Sequence, residues 1–236
     1  FKLFLNDKCF FITQNTRDFQ YLNKIFKINK NKIFTIKGSG IDLCKFNTKE
    51  TNFDKNIILF PARPLFSKGI KEFCESANII KKIHKDWRFI IVGDIYYQSP
   101  DIVDYKFRMK YQKNNIVEFW GHKENMIEIY QKSKIVCLPS YREGFPKVLM
   151  EAAAMGLPII TSDDPGCAEA ILENKTGYVV PKKNTNALVD KIINLMNDKF
   201  IYEKFSTNSV IHAHNSFSIK NVTDVHFKIY NNIINE

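Results

Sequence analysis

Residues 140–156 read SYREGFPKVLMEAAAMG, and the rest of the chain is organised around them. The stretch begins where an apolar run, KIVCLPS (134–140), ends. It crosses a short polar loop and enters PKVLMEAAAMG (146–156). Proline at the start and glycine at the end of an apolar, alanine-rich segment is the usual asymmetry of helix termini. A strand, a loop and a helix are therefore predicted in that order. Gly144 lets the backbone approach a ligand closely. A helix that starts near Pro146 offers unpaired amide hydrogens and the positive end of its dipole, which suits an anion such as a diphosphate. Glu143 precedes that helix and Glu151 lies inside it. Carboxylates repel phosphate and only accept hydrogen bonds, so as ligand contacts they would serve hydroxyl groups, such as the diols of a sugar or a ribose. Spacing alone leaves open that Glu143 is a solvated loop residue and Glu151 an ordinary helix-surface residue.

The same strand–loop–helix unit repeats outward. Strands are predicted at 56–62 (NIILFPA), 88–94 (RFIIVGD), 116–121 (IVEFWG), 134–140, 157–163 (LPIITSD) and 177–181 (GYVVP). Helices are predicted between and after them at 68–85, 101–113, 123–132, 146–156, 165–174 and 184–198, the first carrying Ile70, Phe73, Ala77, Ile80 and Ile83 on one face. Alternating β and α segments with continuously apolar strands imply an α/β fold. Its core is a Rossmann-like parallel sheet with helices on both faces. Such sheets bind ligands at the carboxyl ends of their strands. The two ends of the chain fall outside this pattern. Residues 9–13 read as a strand, 15–28 as a helix, 33–37 as a short strand and KGSGID (37–42) as a glycine-rich turn. Two further helices, 199–212 and 218–235, are separated by a polar break near Asn215-Ser216.

The remaining chemistry-bearing residues sit in strand-end loops. ARPLFSKG (62–69) places Arg63 and Lys68 around a helix start that Ser67 is suited to cap. Two cations there favour a polyphosphate, although surface cations are the plainer reading. Gly93-Asp94 and Trp120-Gly121-His122 close two strands, and glycine at a strand end often marks close approach to a ligand. His122 reads as a solvated or structural histidine; Trp120 either stacks on a base or packs in the core. Asp163-Asp164-Pro165-Gly166 makes a turn and helix start and has no third ligand that would complete a metal site. Gly166 amides and Glu169 can face a sugar instead.

Composition narrows the class. The 236 residues are 44% hydrophobic and 25% charged, enough apolar material for a large core. No run is long and apolar enough for a membrane span, and FKLFLNDKCFFITQN has neither a cleavage site nor the polarity profile of a signal peptide. The chain begins without Met and is expected to lie inside a longer one. Five scattered cysteines argue against a zinc site or a disulfide framework and read as buried hydrophobes in a reducing cytoplasm. The net charge of +10 is spread over the chain, and no nucleic-acid-binding motif accompanies it. Lysine-rich composition explains it at least as well as a ligand does. If the charge has a partner, an anionic membrane surface is favoured.

Taken together, GSGID (38–42), ARPLFSKG (62–69), FIIVGD (89–94), VEFWGH (117–122), SYREGFPKVLMEAAAMGLPIITSD (140–163), PGCAEAI (165–171) and TGYVVP (176–181) resemble glycosyltransferase family 4. This is the large group 1 family of GT-B fold, and the likeness is to its C-terminal half and its CapM-like bacterial surface-polysaccharide branch. The ordered set covers about residues 33–185, and Glu143-x7-Glu151 has the family's spacing. The resemblance implies a retaining transfer of a hexose or N-acetylhexosamine from a nucleotide diphosphate-sugar, most simply UDP-linked. The acceptor would be a lipid-linked saccharide, used in capsule, lipopolysaccharide or other glycan synthesis. It implies that Arg63 and Lys68 neutralise the donor diphosphate, Glu143 contacts the sugar and Glu151 holds the ribose diol. Backbone amides from Gly144 through Phe145, Pro146 and Lys147 to Val148 would cradle phosphate, Gly121 would border the base, and Glu169 would lie near the sugar. Pro146, glycine in many members, cannot donate an amide hydrogen, a change the CapM-like branch tolerates. No metal or other cofactor is expected.

The resemblance also divides the chain. Residues 1–46 correspond to the end of an acceptor domain and the crossover, 47–215 to the donor-binding domain, and 216–236 to a helix returning toward the acceptor domain, most of which is missing. The alternative is a donor-binding module that is inactive until a separate chain supplies the acceptor domain. A Rossmann dehydrogenase is disfavoured because GSGID lacks the G-x-G-x-x-G pattern. The expected location is cytoplasmic, peripheral on the inner face of the membrane.

Overall fold

The structure is a computed structural model and describes residues 9–47, 55–95 and 98–235. Its first unit is small: strand β1 (Phe11–Thr13), helix α1 (Thr16–Lys24) and strand β2 (Ile33–Thr35). The two strands pair in parallel, Phe11 opposite Ile33. The main unit follows as β3 (Ile57–Phe60), α2 (Ile70–Ile80), β4 (Arg88–Ile91), α3 (Tyr105–Gln112), β5 (Glu118–Phe119) and α4 (Met126–Lys132). It continues with β6 (Ile135–Leu138), α5 (Lys147–Ala154), β7 (Ile159–Ser162), α6 (Pro165–Ala168), β8 (Gly177–Val180), α7 (Thr185–Asn197), α8 (Lys199–Ser216) and α9 (Ile219–Ile234).

Six strands form one parallel sheet in the order β5-β4-β3-β6-β7-β8. The apolar run of β3 supplies both faces. Ile58 and Phe60 point into a cluster with Phe73, Phe89, Leu188 and Ile192, while Ile57 and Leu59 point into one with Tyr130, Leu149, Met150 and Ala153. Helices α2, α3 and α7 thus line one face and α4 and α5 the other, while α8 runs from the first cluster at Phe205 to the second at Ala213. Successive strands step outward from β3 in one direction and from β6 in the other. The sheet therefore has a switch point between β3 and β6, where the following loops diverge and leave a crevice.

The chain ends close on each other. Ile41 N–H donates to Phe217 O at 2.8 Å and Ile219 N–H to Ile41 O at 3.0 Å. Helix α9 then packs Val222 and Ile229 on Ile36, with Phe34 and Ile233 beside them. Ile41 and Phe46 of the segment after β2 belong to the α4/α5 side of the main core. The boundary drawn at residue 47 abuts positions 48–54, which lie outside the described residues.

Several elements differ from the sequence expectation. The helix predicted over 165–174 stops at Ala168, because Leu172 N–H turns to Thr176 Oγ1 (2.9 Å) and Asn174 adopts φ 58°. Ser67 does not cap α2. The cap position is Gly69, and Ser67 O instead accepts from Tyr141 N–H at 2.7 Å. The break between the last two helices falls after Ser216, where the Phe217 side chain is drawn into the core. Of the five cysteines, Cys74, Cys137 and Cys167 are buried, but Cys44 is exposed and Cys9 half-buried.

Candidate functional site

At the switch point the loops after β3 and β6 are stitched together. Ser140 Oγ and Tyr141 N–H both donate to Ser67 O, at 3.1 and 2.7 Å. Gly69 has φ 77° and lies so close to Pro139 that a β-carbon would collide with its carbonyl. This packing brings two predicted residues into contact: Lys68 Nζ meets Glu143 Oε1 at 2.5 Å, with both side chains mostly buried. Arg63 is exposed on the same loop. Gly93 presses on the Ala62–Arg63 peptide, and its N–H donates to Gly121 O at 2.9 Å, so the loops after β3, β4 and β5 also form one surface.

Helix α5 starts at Lys147 with Pro146 as its cap residue, as the sequence predicts. Its start is anchored by Phe145, whose ring is buried against Phe217 at 5.8 Å, and by Leu149 and Met150, both fully buried. Gly144 and Lys147 are exposed and Val148 is half-buried.

Glu151 lies one turn into α5 and is only 8% exposed. Tyr130 O–H donates to its Oε2 at 3.0 Å, and Lys147 Nζ stands 3.8 Å from Oε1. Burial raises the Glu151 carboxyl above the usual carboxylate range, against the opposing effects of Tyr130 and Lys147. Glu151 and Lys147 form one wall of a cavity of about 580 Å³. Lys45 and Phe46 form a second wall, and Glu124 to Ile127 at the start of α4 form the third. Gly121, with φ 66°, has open space where a side chain would stand. Trp120 is half-buried at the edge of the α4/α5 core, its indole N–H donating to Glu118 at 3.0 Å and the Arg88 guanidinium lying over its ring. His122 is exposed.

The first unit of the chain supplies residues that sequence reasoning did not single out. Asn15 Nδ2 donates to Gly144 O at 2.7 Å, and Arg17 Nη2 donates to Glu143 O at 2.8 Å. Arg17 also pairs with the fully buried Asp164, whose Oδ2 accepts from Glu143 N–H at 2.9 Å. Glu169 accepts from Thr16 N–H and Oγ1, at 2.9 and 2.6 Å, and lies 3.5 Å from Lys37 Nζ. One signal was available: Arg17 sits in the first turn of a helix, where a cation works against the dipole and so needs another partner. Among the described residues no group of three or more His, Cys, Asp and Glu is placed to hold a metal ion.

Comparison with known proteins identifies the family and the fold. Residues 45–210 match the family described as Glycosyl transferases group 1. Over 95% of its length the chain is 31% identical to the N,N'-diacetylbacillosaminyl-diphospho-undecaprenol alpha-1,3-N-acetylgalactosaminyltransferase of Campylobacter jejuni, of which it spans 60%. It is 29% identical to the capsular polysaccharide biosynthesis glycosyltransferase CapM of Staphylococcus aureus, over 78% of this chain and 48% of CapM. The fold matches a Rickettsia africae glycosyltransferase with TM-score 0.85, at 24% identity, over 99% of this chain and 67% of that one. It matches Anabaena HepE in complex with UDP-glucose with TM-score 0.82, at 15% identity, over 94% of this chain and 63% of that one. The matched span, 45–210, contains the switch-point crevice and the start of α5, and the chain belongs to the group 1 glycosyl transferases.

Proposed function

We infer that this chain binds the donor in a retaining transfer of a hexose or N-acetylhexosamine from a UDP-sugar to a saccharide carried on a polyprenyl diphosphate. The observation that carries the reading is the nearly buried carboxyl of Glu151 on the wall of a 580 Å³ cavity, one turn inside the helix that begins at Lys147. A nucleoside placed in that cavity sets its ribose diol on Glu151 and its diphosphate at the first amides of α5. Lys68 and Arg63 lie on the adjoining loop and would neutralise the leaving diphosphate on the face from which it departs. Glu143, held by Lys68 in the present arrangement, would accept from sugar hydroxyls. Glu169 is engaged by Thr16 and Lys37, so it would border the sugar while tying the two units together. The Campylobacter relative, named for a diphospho-undecaprenol acceptor, supports the acceptor class, and HepE supports the nucleotide.

The chain spans 60% and 48% of the two relatives it was compared with, which favours donor binding over complete transfer as the task of this segment. Calorimetric titration of UDP into the chain and into an Arg63→Ala/Lys68→Ala variant tests the assignment. Two lost charge-assisted contacts at about 1.5 kcal/mol each predict roughly 100-fold weaker binding. No UDP affinity in the parent, or none lost in the variant, refutes it.

A further inference from the structure

We propose that Arg17 is a positioning residue for Glu143, so that recognition of the donor sugar depends on the unit formed by residues 11–35. The proposal rests on the donor-site reading above and deepens it.

Both ends of residue 143 are held by a single ion pair. Asp164 Oδ2 accepts the Glu143 N–H at 2.9 Å, Arg17 Nη2 donates to the Glu143 carbonyl at 2.8 Å, and Arg17 Nη1 is paired with Asp164 Oδ1. Asp164 is fully buried, a position where a carboxylate requires a partner. It stands at the start of α6, where an aspartate would ordinarily cap the helix with its side chain. No such cap bond forms, and both of its oxygens turn to Glu143 and Arg17 instead. Arg17 is likewise spent against its own helix, in the first turn of α1. Gly166 completes the seat, because a β-carbon there would collide with the carbonyls of Glu143 and Gly144. Asn15 Nδ2 holds the next carbonyl, Gly144 O, at 2.7 Å.

From this fixed backbone the Glu143 carboxylate reaches Lys68 Nζ at 2.5 Å. The planar guanidinium is suited to this bridge, since its rigid fork holds a carboxylate and a carbonyl on separate nitrogens at once; a lysine ammonium is a single-point donor on a flexible stem and fixes neither geometry. None of these groups lies on the wall of the nucleoside cavity. Loss of Arg17 should therefore misplace the sugar contact and spare the nucleotide contact.

The test titrates UDP, UDP-N-acetylglucosamine and UDP-N-acetylgalactosamine into the wild-type chain, Arg17→Lys, Arg17→Ala and each combined with Glu143→Gln. The expected result is UDP affinity within about 3-fold of wild type in both Arg17 variants. The affinity of the preferred sugar nucleotide relative to UDP should change about 10-fold, with no further change when Glu143→Gln is added. Arg17→Lys retains the charge beside Asp164, so its melting temperature should stay near that of wild type. It still loses the bridge, which keeps the test valid if Arg17→Ala does not fold. Parallel weakening of UDP and sugar nucleotides, or an Arg17 effect that adds in full to that of Glu143→Gln, overturns the proposal. Absence of UDP binding by the wild type overturns the donor-site reading itself. A wild type that binds UDP but whose sugar discrimination is unmoved by Glu143→Gln overturns the proposal and leaves the nucleotide reading standing.

Discussion

Replacing Glu151 by Gln removes a charge from the wall of the nucleoside cavity while keeping shape and an acceptor for Tyr130 O–H, now 3.0 Å from Oε2. The change separates function from stability because the two respond in opposite directions. Burial holds the Glu151 carboxyl above its ordinary range, so the folded protein favours the neutral acid more than the unfolded chain does. The resulting destabilisation is absent below the unfolded pKa and fully present above the folded one. At neutral pH the Gln variant should therefore be as stable as the parent or more so. Binding should move the other way. A hydrogen bond to a charged acceptor contributes about 1.5–3 kcal/mol, so its loss predicts roughly 10- to 150-fold weaker UDP binding. Affinity of the parent should also fall on acidification, beginning above the pH at which an ordinary carboxylate titrates, because protonation removes the same acceptor. Calorimetry with UDP and its 2′-deoxy analogue measures the effect directly. The analogue lacks one of the hydroxyls in question, so the substitution should cost it much less. Equal losses for the two ligands would show that Glu151 does not hold the ribose diol. A marked fall in melting temperature at neutral pH would show that the carboxylate is a structural group.

Three other outcomes follow from the geometry. Gly166→Ala would place a β-carbon against the Glu143 and Gly144 carbonyls, for an expected loss of about 1–3 kcal/mol in denaturant unfolding and a larger drop in sugar-nucleotide than in UDP affinity. Phe217→Ala removes a ring 1% exposed that anchors both Phe145 and the link to α9, and should lower stability by about 3–5 kcal/mol; a loss under about 1 kcal/mol would contradict the packing. The net charge of +10 predicts sedimentation with vesicles containing anionic lipid at low salt, weakening as salt rises, and no binding at low salt would dispose of the membrane reading.

The strands were legible because strands buried on both faces show as short, uninterrupted apolar runs. NIILFPA, RFIIVGD, KIVCLPS and LPIITSD each mark one, with ends displaced by up to three residues from the paired segments. The α5 start was legible from Pro146 and Gly156, and the residues flanking it from their place at a strand end. Weak local signals failed where a distant partner decided the outcome. Residues 169–174 have helical composition at their start, but Thr176 draws Leu172 into a turn. Residues 116–121 are apolar enough for a longer strand, but only Glu118–Phe119 pair with β4 at the sheet edge.

The sequence by itself determined the α/β class, the parallel sheet, the family and the loops that carry charge, because each rests on local periodicity or on contiguous motifs. Tertiary structure alone decided which of those loops meet. The order β5-β4-β3-β6-β7-β8 sets Lys68 beside Glu143, 75 positions apart in the chain. The packing of α1 against α6, outside that sheet, brings Arg17 to Asp164 across 147 positions. The physical reason is that an ion pair or a hydrogen bond between distant segments leaves no period in the sequence. Its geometry comes from the packing of everything between them.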